Sequence, residues 1–157
     1  MKGWLRGGIC LLLACFLQGL LAAVTPWRVP LLPGVVCLLG LRLGATAGAA
    51  LGGFAGLLWL CAGQGYTPLA LFPALGGWTG GFSPTGREAL PRRWLLCLPG
   101  LALYAVLECL LHLWGGISVR LLGTSFLLSL ACLPLAELVC ALCFWKKGPR
   151  KRRVRSL

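Results

Sequence analysis

A chain of 157 residues has the length of one domain, yet only 11% of it is charged, Asp is absent and the mean hydropathy is +0.88. That composition excludes an ordinary soluble domain and predicts long apolar segments separated by short charged clusters. The net charge of +12 does not point to nucleic acid, because seven of the 15 Lys and Arg lie in the final KKGPRKRRVRSL and most of the others flank apolar runs. Basic clusters at the ends of spans orient them and attract anionic headgroups.

The first predicted helix runs from Leu5 to Val24, behind Lys2 and Arg6. A basic start and the small residues of LLAAV also fit a cleaved signal peptide, but about 20 apolar residues favour a retained span. Leu12-Leu13-Ala14-Cys15 loosely matches a lipoprotein box, although the chain stays apolar beyond Cys15 where a lipoprotein would turn polar. Pro26, Pro30 and Pro33 then mark a turn.

Between Leu31 and Ala62 the single charge is Arg42. One continuous helix there would extend about 48 Å with the arginine near its middle. Two helices, Leu31 to Leu41 and Gly44 to Ala62, are therefore predicted, the first short enough to be a partial or re-entrant span. A turn from Gly63 to Thr67 leads to a fourth segment, Pro68 to Phe82, and a polar loop follows from Ser83 to Arg93 with Arg87, Glu88 and Arg92. Trp94 to Trp114 is the fifth segment and Leu121 to Trp145 the sixth, kinked at Pro134.

The expected fold is thus an all-α membrane bundle of about six spans over residues 1–145, with a solvated basic tail at 146–157 and both termini cytoplasmic. With that orientation 13 basic residues lie inside and two, Arg28 and Arg120, outside, as positive-inside topology requires. Trp4, Trp94, Trp114 and Trp145 fall at segment ends, where interfacial rings belong.

Glycines recur at four-residue steps: Gly44, Gly48, Gly52 and Gly56, with Gly40 extending the series backward. Each costs roughly 1 kcal/mol against alanine within a helix. In lipid the compensation is close approach of backbones, because lipid tails offer no hydrophobic drive between helices. Gly76, Gly77, Gly80 and Gly81 form two further pairs of the same kind. The grooves serve internal packing, or in part dock a partner's helix.

Polar residues at membrane depth are few. Gln18 lies in the first segment; Tyr104, Glu108 and His112 share one face of the fifth at four-residue steps; Glu137 lies in the sixth beside Pro134. By the proposed topology Glu108 is about 6 Å outside the midplane and Glu137 about 6 Å inside it, so no direct pair is expected. Hydrogen bonding to neighbouring helices or to a water pocket is the simplest role for each. One His, no Asp and three Glu give no convergent catalytic set. The nine cysteines, 10, 15, 37, 61, 97, 109, 132, 140 and 143, are spread through apolar runs without framework spacing and read as small hydrophobes. Cys140-Ala-Leu-Cys143 has no second pair and no His nearby, so no metal, cofactor or catalytic residue is expected.

From Phe16 to about Phe82 the order FLQGLL, VPLLP, LRLGATAGAALGGFAGLLWL and LFPALGGWTGGF resembles the rod shape-determining MreD family. In that family a Gln-containing helix and a Pro-led helix precede GxxxGxxxGFxxGLLxD, a motif that Gly48, Gly52, Phe54, Gly56 and Leu57 match closely. The family's acidic residue after GLL is here replaced by Trp59 and Leu60. The resemblance implies a non-catalytic scaffold in the bacterial cytoplasmic membrane. Its implied role is cell-shape maintenance and lateral peptidoglycan synthesis. Its implied partners are MreC, actin-like MreB and a RodA-type polymerase, with anionic lipids at the basic tail. A second reading is the six-helix substrate-binding subunit of an energy-coupling-factor vitamin transporter, with Glu108 and Tyr104 lining a pocket.

Overall fold

The computed structural model describes residues 2–24, 30–62, 67–82, 90–113 and 120–144. These form seven helical elements: α1 (Lys2–Val24), α2 (Leu31–Leu43), α3 (Ala45–Cys61), α4 (Thr67–Gly81), α5 (Leu90–Leu113), α6 (Arg120–Ala131) and α7 (Leu133–Phe144). Among the described residues there is no strand. The predicted turn at Pro26, the Gly63 turn, Arg87 and Glu88, Trp114, Trp145 and the tail at 146–157 lie outside the described residues.

The predicted sixth segment is two elements. Pro134 offers no N–H to Leu130 and its ring crowds that carbonyl, so the expected kink appears as a break at Cys132, two residues upstream. Helical hydrogen bonds still cross the break, from Cys132 N–H to Leu128 O (3.0 Å) and from Ala136 N–H to Cys132 O (2.9 Å). Among the described residues the stretch Phe126–Phe144 accordingly remains one of two that are long and apolar enough to cross a membrane, the other being Gly3–Val24. The fifth segment also differs, starting at Leu90 instead of Trp94. Pro91 suits a first helical turn, and it draws Arg92 and Arg93 out of the predicted loop and onto the helix.

At the centre is α2. It packs against each of the other helices and is buried without interruption from Leu31 to Leu41. Its 13 residues reach only about 20 Å, short of a ~30 Å hydrocarbon core. Gly44 alone joins α2 to α3. With φ +91° it occupies the left-handed region that side chains avoid, and its N–H closes on Gly40 O at 2.9 Å.

The outward surfaces are as apolar as the interior. Leu5, Ile9, Leu12, Phe16 and Leu20 run exposed along α1, Leu95, Leu103 and Leu110 along α5, and Leu138 and Leu142 along α7. Helices without a polar face occur in buried cores and in membrane spans.

Candidate functional site

Two features organise the interior: a contact of glycine backbones between α2, α3 and α4, and a charged cluster joining α2, α5 and α7.

The glycine contact follows from the missing side chains. A methyl placed on Gly48 would strike Gly76 O, and one placed on Gly76 would strike Gly48 O. Each glycine therefore turns a Cα hydrogen toward the other's carbonyl, a reciprocal pair of weak hydrogen bonds worth about 0.5–1 kcal/mol each. Gly52 meets Phe72 O and Pro73 N in the same way, and Gly80 comes against Ala45, whose Cα and N lie 2.5 Å from the place of its absent Cβ. These partners pair in antiparallel order along α3 and α4. Gly40 brings α2 into the same point, against Thr79 Oγ1 and Gly76 O. Thr79 hides its hydroxyl by donating to Leu75 O at 2.9 Å.

Not every glycine of the two series is used this way. Gly44 is the turn, and nothing lies within 4 Å of its Cβ position. Gly81, the last residue of α4, also faces open space, and Gly77 has ordinary contact with Ala49 Cβ at 3.5 Å. Of the second pair, Gly77 thus lies at the edge of the α3 contact without close backbone approach, and Gly81 lies beyond it. Gly56 is buried within α3.

Gln18 is a helix cap supplied from another helix. Its Oε1 accepts from Leu31 N–H at 3.1 Å and Leu32 N–H at 3.0 Å. Pro30 provides no side-chain cap to α2, Pro33 has no N–H, and Gly34 is the first residue able to reach an intrahelical carbonyl. One amide oxygen thereby satisfies the free donors of a buried helix end. Gln18→Leu is expected to cost about 1–3 kcal/mol, since both donors are stranded, whereas Gln18→Glu retains the acceptor. Thermal unfolding of the detergent-solubilised protein checks this order.

Tyr104 is buried, with its ring 5.9 Å from that of Phe72. Trp59 also meets Phe72, edge-on, at 5.8 Å. Trp59, Phe72 and Tyr104 thus form an aromatic row linking α3, α4 and α5. Glu108 and His112 lie on α5, and their side chains fall outside the described residues. A small apolar cavity between α4 and α5, bordered by Leu75, Trp78, Gly100 and Tyr104, encloses about 100 Å³.

Glu137 has two arginine partners. Its Oε1 accepts from Arg42 Nη2 at 2.5 Å and lies 3.5 Å from Arg93 Nη1. Arg42 Nη1 reaches Cys140 O at 3.4 Å, and the guanidinium lies 5.7 Å from the centre of the Phe144 ring. Besides Trp94 Nε1, two buried side-chain atoms face no partner among the described residues, Arg42 Nε and Glu137 Oε2. They are the complementary halves of a side-on fork whose other half is the Nη2–Oε1 bond, so a small rotation of either group would satisfy both.

Sequence reasoning placed Arg42 at a turn and Glu137 alone, and missed their pairing across 95 positions. One signal was present. Each is the lone charge of its apolar run, their signs are opposite, and the proposed topology puts both in the same half of the bundle. Arg93 carried no such signal while it was assigned to a loop.

Cys10 Sγ and Cys140 Sγ are 3.7 Å apart, both buried, where α1 meets α7. Among the described residues no three His, Cys, Asp or Glu side chains converge as a metal site would. No family model, curated protein or solved structure matches the chain.

Proposed function

We propose that the chain is a non-catalytic, multi-pass membrane scaffold of the MreD type, acting in the bacterial cytoplasmic membrane. The observation that carries this reading is the Gly48–Gly76 backbone contact. It gives a mechanical purpose to the glycines of the stretch on which the family resemblance rests. Apolar outer faces on α1, α5 and α7 support residence in lipid, where close backbone packing is the main source of helix association.

In this role the α2–α3–α4 unit is a rigid centre. The outer helices present apolar surface to partner spans of MreC and the RodA-type polymerase, and the basic tail holds the inner membrane surface. The transporter reading has less support: among the described residues the cavity beside Tyr104 measures about 100 Å³, and a wider groove of about 440 Å³ between α1 and α3 is lined by apolar residues with no charged side chain to orient a substrate.

Depletion of the protein in its own host tests the proposal. The expected result is widened or rounded cells, with labelled wall precursor lost from the lateral wall. Unchanged shape and unchanged lateral labelling would overturn it.

A further inference from the structure

The charged cluster is unbalanced. Glu137 is matched to Arg42, which spends its Nη2 on the carboxylate, its Nη1 on Cys140 O and one face on Phe144. Among the described residues Arg93 has a single marginal contact, of 3.5 Å, to an oxygen that already holds a closer partner. A guanidinium has five N–H donors in a planar fork, and most of Arg93's remain to be placed.

The protein has little with which to neutralise it. Acidic residues number three in the whole chain against 15 basic ones. Glu108 sits 15 positions further along α5, about 22 Å away along the axis, and Glu88 lies outside the described residues. The exposure of the cluster is also graded. The Glu137 side chain is 10% exposed, Arg42 20% and Arg93 25%, so an approaching group meets the cationic side first and the carboxylate last.

We propose that Arg93, with Arg42 beside it, binds a phosphate group at the end of the bundle where α2, α5 and α7 meet. Planar guanidinium groups match phosphate oxygens two at a time, and the match strengthens away from bulk water. Glu137 serves as the inner brace that holds Arg42 in place and limits the site to one phosphate. The membrane location proposed above supplies the nearest source, the headgroup of an anionic lipid. A free phosphate compound presents the same chemistry. The inference rests on that location and is independent of the scaffold role.

Native mass spectrometry of the full-length protein in detergent provides the test, with phosphatidylglycerol, phosphatidylcholine and inorganic phosphate as separate probes. One tightly held phosphatidylglycerol is expected, with Arg93→Gln binding it about tenfold more weakly. Arg93→Lys keeps the charge but loses the fork, and is expected to weaken binding severalfold while leaving the fold intact. Arg152→Gln/Arg153→Gln, in the tail, should leave the tight site unchanged. Retention of inorganic phosphate, lost in Arg93→Gln, would identify a free phosphate compound as the ligand and still support the site. Equal retention of every probe by the wild type and both Arg93 variants would overturn it. Cell shape does not enter this readout, so failure here and failure of the scaffold proposal are separable.

Discussion

Alanine at Gly48 or Gly52 is expected to destabilise the protein, whereas alanine at Gly53 or Gly81 is expected to leave it unchanged or raise its stability. Helix propensity alone would favour alanine at all four positions by as much as about 1 kcal/mol. The difference comes from what the new methyl meets. At Gly53 the nearest atom is Pro73 Cγ at 3.8 Å, an ordinary contact, and at Gly81 nothing lies within 4 Å. At Gly48 the methyl meets Gly76 O and, at 2.7 Å, Gly40 Cα; at Gly52 it meets Phe72 O and, at 2.8 Å, Pro73 N. These are backbone atoms of neighbouring helices, which no side-chain rotation can clear. Relief requires α4 to move off α3, an overpacking cost of about 1–3 kcal/mol that outweighs the gain in propensity. Leucine at Gly52 would separate the helices altogether. Helical circular dichroism of the solubilised protein during denaturant titration reads all of these changes. A Gly52→Ala protein as stable as the wild type would mean that the backbone contact does not form.

The glycine contact was legible because its cause is local. Four-residue spacing on one helix marks a flat face whatever the partner, and the small residues of the fourth segment mark a second such face; that the two faces meet each other is seen only in the structure. What the spacing could not show is which glycines serve geometry instead of packing. Gly44 continues the numerical series but forms the α2–α3 junction, a role fixed by Arg42 and the length of the apolar run. Gly81 continues its series only in number, because α4 ends there. The kink expected at Pro134 falls two residues upstream, at Cys132. The boundary that failed is the start of α5, where Pro91 in the first turn brings Arg93 onto the helix. The charged cluster depends on three helices far apart in the chain, and the third, α5, supplies its arginine only after that boundary is moved. Gln18 was legible as a polar residue in an apolar helix. Its role as a cap on α2 required knowing that α1 passes beside Pro30.

Loss of both arginines from the cluster is expected to cost more than the sum of the single losses. Arg42→Leu removes the closer partner of Glu137, but Arg93 is already within 3.5 Å of the same oxygen and can move in, which holds the expected cost to about 1–2 kcal/mol. Arg93→Leu leaves the Arg42 bond intact and should cost less than ~1 kcal/mol. The double variant strands a carboxylate that is only 10% exposed. Its expected cost is about 3–5 kcal/mol, because a buried charge without a partner forfeits its hydration and gains nothing in return. Glu137→Leu in the Arg42→Leu background should recover most of the single-variant loss, since an apolar pair of similar volume packs in place of the ions. A double-mutant cycle on unfolding free energies isolates the shared term. If the Arg42 and Arg93 losses add to within about 0.5 kcal/mol, the two arginines do not compete for one carboxylate. Glu137 would then be held by one helix contact instead of joining three.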